Sequence, residues 1–429
     1  MSAKLDDLDE YNDLDGGDDL AEGEVSRVGR LRVFFICSLL LLASAINYLD
    51  RQTLSSASSR ILEELDLTKE QYGDIEGLFG YGFVLGSIVF GILADWVSIR
   101  WLYPAVLVAW SAATAATAYA TDYQDLLWLR FSLGLFEAGH WPCGVRVVRQ
   151  LTRVSGRTMG NGLLQSGTSI GAILAPLVML ALLTDEVGSW RTAFLIVGAV
   201  GIFWVCAWFA TVRPGDLTYE SRRDRQQTPW SVFFSRRLLI VLVVVCLINT
   251  TWQVLRAWLH LFLNEGRGYS EQQTLLFNSA WFVATDVGCL SVGLFVLWLC
   301  ARGFTATRAR QMMFTACALM CLTMLGLPFL PNGWLLLAVL LVGGAGALGM
   351  FPLYHAFTQD ISGRHQGKIT GLAGVTAWFL VPPAQKFFGR LVDATGSYDV
   401  GLAAAAVLPA AAAVVLWIFW GKESNAPTE

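Results

Sequence analysis

Charged side chains are scarce in this sequence. Asp, Glu, Lys and Arg make up only 15% of its 429 residues, hydrophobic residues make up 55%, and the mean hydropathy is +0.52. A soluble protein carries about 25% charged residues, so the composition excludes an ordinary soluble enzyme. The sequence also lacks a nucleophile–base set or a metal-binding cluster that would face one compartment, and we therefore expect no enzymatic activity.

Motifs for metals and cofactors are missing too. The eight cysteines all lie in predicted helices without paired metal-ligand spacing, which is typical of small apolar packing residues. Residues 344–349 match a dinucleotide fingerprint, but they lie in an apolar run with no preceding strand. We interpret these glycines, like the pairs Gly82/Gly86, Gly167/Gly171 and Gly367/Gly371, as contacts between helices. We expect no metal, no cofactor and no nucleic-acid partner.

Long apolar runs dominate the chain instead. About 20 apolar residues cross a bilayer as a helix, and the runs lack the two-residue alternation of a membrane barrel. The sequence therefore predicts an all-α polytopic membrane protein. Its twelve predicted spans are residues 31–57, 72–97, 101–121, 124–149, 158–184, 190–212, 238–264, 275–301, 310–330, 333–358, 366–391 and 399–421.

The charges between these runs predict the orientation. Residues 1–28 form an acidic tail with too little apolar content to fold, and a signal peptide would instead begin with basic residues. With the N-terminus inside, fifteen basic residues lie in cytoplasmic loops and five lie in outer loops or at helix ends. We predict that both termini are cytoplasmic and that the protein lies in the cytoplasmic (inner) membrane as a monomer.

A polar segment at the centre of the chain predicts two halves. Residues 213–237 form a cytoplasmic loop between six-helix halves at residues 29–212 and 238–421, and residues 422–429 form a short C-terminal tail. The halves echo each other weakly, since Gly139-His-Trp-Pro142 resembles Gly349-Met-Phe-Pro352. Transporters built from two related halves bind their substrate near the membrane midplane, between the halves.

Two groups of charges lie inside the predicted membrane helices. Asp50 and Arg51 are adjacent in the first span, and Arg130 and Glu137 lie two turns apart on one face of the fourth. Arg130 and Glu137 are too far apart to pair with each other. If the two helices are neighbours, Asp50 and Arg51 would supply their partners. Such a network is either a switch for protons and anions or an ionic lock that only pins the helices.

The seventh predicted helix carries a polar stripe of Asn249, Gln253, Arg256 and His260 at steps of four, three and four residues. A stripe on one face favours the lining of a cavity, although Asn and Gln also join helices by packing. The sequence leaves four other residues without an assigned role: His140, Arg146, Asp286 and His355.

Several motifs resemble one known family. They are Asn47-Tyr-Leu-Asp-Arg51, Arg130 followed by Leu133-Gly-Leu-Phe-Glu-Ala-Gly139, and Phe357-Thr-Gln-Asp-Ile-Ser-Gly-Arg-His-Gln-Gly367. Together they resemble the major facilitator superfamily, and within it the anion:cation symporters, which include bacterial hexuronate and galactonate transporters and animal vesicular carriers of glutamate and sialic acid.

The resemblance implies a twelve-helix fold in two halves and a role for particular residues. It implies proton and anion handling by Asp50, Arg51, Arg130 and Glu137, and gating by Asp95 and Arg100, which remain from a longer superfamily loop motif. It also implies a tyrosine and a polar residue at the sugar-acid site, where this chain has Phe83 and Thr168.

We therefore predict a secondary transporter that imports an organic anion, such as a hexuronate or an aldonate, together with protons. The alternative is an anion exchanger or a cation-driven carrier of another small carboxylate or of phosphate. Asp50 and Glu137 are assigned to protons, and Arg130 is assigned both to the substrate and to switching. The other predicted substrate contacts are Tyr48, Arg51, Thr168, Asn249, Gln253 and Arg256.

Overall fold

The computed structural model describes residues 30–151, 154–217, 235–359, 361 and 366–420. Within these ranges the chain forms helices and no strands. The predicted acidic tail, most of the predicted central loop and the predicted C-terminal tail lie outside the described residues. So do five positions of the motif between Phe357 and Gly367.

The first half of the chain contains eight α-helices. Thr68 and Gln71 form a capping box at the start of the third helix, and Asp122 accepts a hydrogen bond from the Asp125 N–H at the start of the fifth helix. The helices are α1 (Arg30–Ser56), α2 (Ser58–Glu64), α3 (Lys69–Trp96), α4 (Ile99–Thr117), α5 (Tyr123–Glu137), α6 (His140–Leu151), α7 (Val154–Leu182) and α8 (Trp190–Thr211).

The second half contains eight more. Ser270 and Gln273 form another capping box at the start of the second of these, and Ser235 caps the first. The helices are α9 (Arg236–Leu261), α10 (Glu271–Ala301), α11 (Ala306–Leu322), α12 (Trp334–Gln359), α13 (Gln366–Ala377), α14 (Val381–Thr395), α15 (Asp399–Ala405) and α16 (Leu408–Phe419).

Nine continuous helical segments in the described part of the chain are long and apolar enough to cross a membrane. They coincide with nine of the predicted spans. The other three predicted spans correspond to α4 and to two pairs of shorter helices, α5 with α6 and α13 with α14. The chain is thus a multi-pass helical membrane protein.

Proline explains why two predicted spans are broken. Pro142 has no N–H to donate, and its ring would clash with the carbonyl of Ala138 in a continuous helix, so the helix stops at Glu137 and restarts at His140. Pro382 acts in the same way after Ala377. The first break leaves Glu137 as the last residue of α5, at the centre of the protein.

Glycines bring several helices into backbone contact. A Cβ added to Gly82 would lie 2.2 Å from the Phe131 carbonyl oxygen on α5, and one added to Gly167 would lie 2.1 Å from that of Leu41 on α1. Gly344 packs similarly against Trp281, as expected for a contact between helices. A Cβ added to Gly371 would meet no described atom within 4 Å, so the same interpretation is wrong there.

The two halves are joined at one end of the bundle, which we call the Arg60 end and which carries α2, residues 262–270 and residues 396–398. Arg60 of the first half donates to Glu271 of the second at 2.7 and 2.6 Å, and these hydrogen bonds raise the pKa of Arg60. Lys69 pairs with Glu265 at 2.6 Å in the same region. Next to these pairs α3 packs closely against α14. A Cβ added to Gly73 would lie 2.3 Å from the Gln385 carbonyl oxygen.

Candidate functional site

An ion pair between α1 and α5 lies at the centre of the first half. Arg51 donates from Nε and Nη2 to Glu137 Oε2 at 3.0 and 2.7 Å, and both side chains are buried. The predicted pairing of the first and fourth spans therefore exists for these two residues. The Arg51 guanidinium also lies 4.9 Å from the ring centres of Tyr48 and Phe79, so aromatic faces help to hold the cation.

A second buried carboxylate, Glu76 on α3, binds two arginines at once. Its Oε1 accepts from Arg130 Nη2 at 2.8 Å, and its Oε2 accepts from Arg256 Nη2 at 2.6 Å. Arg130 belongs to the first half and Arg256 to the second, so this carboxylate links the halves. The expectation that Asp50 and Arg51 supply the ion-pair partner of Arg130 is wrong, because that partner is Glu76. Arg130 does donate a hydrogen bond to the Arg51 carbonyl, at 3.2 Å.

Glu76 is the site residue that the sequence reasoning missed. It is an ionisable residue in an otherwise apolar stretch, and Tyr72, Phe79 and Phe83 share its helical face at steps of three and four residues. It is only 1% exposed, and its side chain is fully buried between the two guanidinium groups. An acid on the aromatic face of a membrane helix was the signal available.

Asp50 stands apart from these ion pairs. Its side chain is fully buried, and neither oxygen has a hydrogen-bond donor among the described residues. Asp50 faces the Thr114 hydroxyl and the Trp110 indole on α4, but neither lies in hydrogen-bonding geometry. The structure thus joins three of the four predicted charges through direct contacts. The fourth, Asp50, lies close enough to Glu137 and Arg130 to interact with them electrostatically, but it makes no ion pair within the described part of the chain.

The polar stripe on α9 divides between the site and helix packing. Gln253 Oε1 accepts from Arg256 Nε at 2.8 Å, which orients the guanidinium, and Arg256 Nη1 lies 3.5 Å from Gln52 Oε1 of α1. Asn249 instead donates from Nδ2 to the Ala377 carbonyl at the end of α13, at 2.8 Å. His260 is buried, and its ring nitrogens have no partner in the part of the chain described.

Unused hydrogen-bonding groups surround the arginines. Four buried nitrogen atoms on three side chains have no acceptor among the described residues: Asn47 Nδ2, Gln52 Nε2, Arg130 Nε and Arg130 Nη1. Glu137 Oε1 likewise has no donor. Because buried polar groups are rarely left unpaired, this part of the protein suits a ligand with several oxygen atoms, at least one of them negatively charged.

Three predicted residues lie outside this cluster. Thr168 donates to the Gln165 carbonyl within its own helix, at 2.7 Å. Arg100 donates from Nε to the Val212 carbonyl just after α8, at 3.2 Å, so this contact stays within the first half. Asp95 lies in α3, but its side chain is outside the described residues. Among the described side chains no three metal-ligating residues lie close enough together to hold a metal ion.

The fold and the site together define a class of protein. A helical membrane protein whose two halves meet around buried charges is built as a secondary transporter. The chain belongs to the Major Facilitator Superfamily, whose family model matches residues 40–384. It is therefore a membrane transporter and not an enzyme.

Relatives of known or inferred function include several transporters. The hexuronate transporter of Escherichia coli (strain K12) is 25% identical, over 90% of this chain and 93% of its own length. The D-galactonate transporter of Escherichia coli O6:H1 is 28% identical, over 67% and 72%. The probable sulfoacetate transporter of Cupriavidus necator is 28% identical, over 85% and 88%.

Solved structures share the fold at lower identity. A bacterial homologue of the human lysosomal transporter Spinster, in an inward-facing and unoccupied conformation, superimposes with a TM-score of 0.79 at 16% identity, covering 93% of this chain and all of its own. The D-xylose-proton symporter gives a TM-score of 0.74 at 14% identity, covering 90% and 98%. These similarities establish the fold alone.

Proposed function

We propose that the protein is a twelve-helix symporter that carries an organic anion, a sugar acid such as a hexuronate or an aldonate, into the cell together with protons. The observation that carries this proposal is the convergence of Arg51, Arg130 and Arg256 on the contact between the halves, beside buried donors that have no acceptor among the described residues. A sugar acid supplies one carboxylate for the arginines and several hydroxyl groups for Asn47 and Gln52. The sugar-acid relatives support the same substrate class.

In this proposal the substrate carboxylate binds Arg256 and Arg51, and its hydroxyl groups contact Tyr48, Gln253 and, more distantly, Thr168. Arg130 acts as the counter-ion that switches partners. Asn249 lies one turn from Gln253 and keeps it in place, with its Oδ1 3.5 Å from Gln253 Nε2. Asp95 and Arg100 act at the opposite end of the bundle as gating residues.

Protons supply the driving force. Moving a monovalent anion into a cell that is negative inside is opposed by about 2.3 kcal/mol per 100 mV, so one proton cancels the charge and a second makes uptake favourable. Asp50 and Glu137 are the two proton carriers that we propose. A buried carboxylate without a donor costs far more free energy than the neutral acid does, and this favours Asp50 as the residue that holds a proton in the conformation described here.

The proposed orientation places both termini in the cytoplasm and the Arg60 end outside, in the inner membrane, with the monomer as the transporting unit. The distribution of basic residues supports it, since Arg100, Arg213, Arg236 and Arg302 lie at the opposite end. The ion pairs at the Arg60 end then close the outer side.

The test is uptake by the purified protein in vesicles. With an inward proton gradient, we expect wild-type protein to accumulate D-galactonate or D-glucuronate, whereas Asp50→Asn and Glu137→Gln should retain counterflow but lose gradient-driven accumulation. The matched controls are Asp66→Asn and Glu63→Gln, which change exposed acids at the Arg60 end. Accumulation by both site variants would refute proton coupling through these residues, and counterflow without pH dependence in the wild type would identify an exchanger.

A further inference from the structure

Each arginine of the site already has a carboxylate partner from the chain itself. Arg51 is paired with Glu137, while Arg130 and Arg256 share Glu76. The three nitrogen atoms of the Arg256 guanidinium are all committed, Nε to Gln253, Nη1 to Gln52 and Nη2 to Glu76. An anion that binds Arg256 must therefore displace one of these groups.

Glu76 is the group whose chemistry matches the incoming anion. Its side chain ends in a carboxylate, the same group that a sugar acid presents, and it gives one oxygen to each of two arginines from opposite halves. If a substrate carboxylate approached Arg256 while Glu76 stayed in place, two carboxylates would share one buried site. Two like charges that share one buried site repel each other strongly.

We propose that Glu76 is an internal stand-in for the substrate carboxylate, and that the transported anion displaces it from Arg256. This inference rests on the proposed function, since it names how the same site is occupied when substrate is absent. Displacement has two consequences. It lowers the apparent affinity for the anion, and it breaks the contact from α3 to α9 that holds the two halves together at the centre.

The unpaired nitrogen atoms of Arg130 make the exchange possible. Arg130 binds Glu76 through Nη2, and its Nε and Nη1 are buried with no acceptor in the part of the chain that the structure describes. Glu76 can therefore swing fully onto Arg130 as it leaves Arg256, keeping a charged partner throughout. A buried carboxylate that kept no partner would be strongly disfavoured.

The competing interpretation is that Glu76 only positions Arg256 for the substrate. The two interpretations predict opposite signs for one substitution, Glu76→Gln, which keeps the size of the side chain and removes its charge. If Glu76 competes with the anion, the variant binds the anion more tightly. If Glu76 positions Arg256, the variant binds it more weakly.

The experiment measures the Kd of D-galactonate and D-glucuronate by calorimetry on the purified full-length protein at one pH. We expect Glu76→Gln to lower the Kd on the order of tenfold, a typical size for coupling between two binding events. In vesicle uptake the same variant should show a lower KM and a lower kcat, because tighter binding slows release. The matched control is Glu70→Gln on the same helix, whose partners Lys386 and Arg390 lie at the Arg60 end, and its Kd should not change.

A Kd that is unchanged or raised in Glu76→Gln refutes the inference while leaving the proposed function intact. If Glu76→Gln does not fold, Glu76→Asp decides instead, because its shorter side chain keeps the charge but reaches Arg256 less well, and its Kd should fall by a smaller factor. An unchanged or raised Kd there refutes the inference equally. If neither probe binds the wild type or either Glu76 variant, the proposed function itself fails.

Discussion

Arg51 donates from two of its nitrogen atoms to a single oxygen of Glu137, at 3.0 and 2.7 Å, and the other oxygen of that carboxylate has no donor among the residues that the structure describes. The pair lies where α5 stops because of Pro142, so the last residue of a broken helix faces the first helix of the chain. The free oxygen is open to a hydroxyl donor. The ion pair thus fixes the position of the carboxylate without using up its hydrogen-bonding capacity.

The first prediction concerns the stability of this pair. Arg51→Gln should destabilise the protein by about 3–5 kcal/mol, because it leaves Glu137 buried without a cation. The double variant Arg51→Gln with Glu137→Gln should recover much of that loss, since neither side chain is then charged. Thermal unfolding of the purified protein measures both effects, and neither variant should accumulate substrate under a proton gradient.

Arg302→Gln is the matched control, because Arg302 lies on the surface after α10 and stacks on Trp298. It should unfold close to the wild-type temperature. A double variant that is no more stable than Arg51→Gln would show that the two residues do not stabilise each other.

The helices of this protein could be predicted from the sequence because they depend on local properties. Length and hydropathy identify a membrane span wherever it occurs, and the predicted positions agree with the helices described. The breaks were missed, although Pro142 and Pro382 are visible in the sequence, because membrane helices often tolerate proline. Whether a proline kinks a helix or ends it depends on the packing around it.

The partners of the site residues could not be predicted in the same way. Helical periodicity shows that Arg130 and Glu137 share a face, but the neighbour of that face is set by the tertiary arrangement, which brings Glu76 of α3 beside Arg130. Asn249 shows a second limit. Its acceptor is the carbonyl of Ala377, which is free only because α13 ends there, and backbone acceptors of this kind leave no mark in a sequence.

The second prediction concerns the closure of the Arg60 end. Removing the ion pair by Arg60→Ala or Glu271→Ala should shift the protein away from the closed state of this end and change the rate of transport. The pair is partly exposed, so a double-mutant cycle should give a coupling free energy of only about 0.2–1 kcal/mol. Uptake assays measure the transport rate, and thermal unfolding of the single and double variants measures the coupling free energy.

The matched control is the ion pair between Arg191 and Glu64, which lies at the same end but within one half, at 2.9 Å. Arg191→Ala should lower the unfolding temperature slightly and leave the transport rate unchanged. Equal effects of Arg60→Ala and Arg191→Ala on transport would mean that the contact between the halves has no special role.

The third prediction uses two glycines of α3. Gly82→Ala should destabilise the protein by about 1–3 kcal/mol, because the new methyl group would meet the Phe131 backbone at 2.2 Å and backbone cannot move aside cheaply. A Cβ added to Gly91 in the same helix would meet no described atom within 4 Å, so Gly91→Ala should be neutral or slightly stabilising. Unfolding temperatures of the two purified variants test this, and equal temperatures would show that α3 and α5 are not in backbone contact.

The fourth prediction concerns His140, whose role the sequence left open. Its Nε2 lies 2.9 Å from the Ser44 hydroxyl, and its Nδ1 lies 2.9 Å from the Tyr103 hydroxyl. Ser44 donates its own hydrogen to the Leu40 carbonyl at 3.1 Å, so it accepts from Nε2, and Tyr103 then donates to Nδ1. This arrangement satisfies a neutral imidazole completely and offers a transported proton no free nitrogen.

His140 should therefore stabilise the fold without carrying protons. We expect His140→Phe to cost about 1–3 kcal/mol of stability, because the variant leaves the Tyr103 hydroxyl buried without its acceptor. His260→Phe should cost less, since His260 is equally buried but has no hydrogen-bond partner among the described residues to lose. The pH profile of uptake should be the same in His140→Phe and in the wild type. Substituting a purely structural histidine changes the amount of folded protein but not the pH at which uptake is half-maximal. A shifted pH profile in His140→Phe would therefore make His140 part of the proton route.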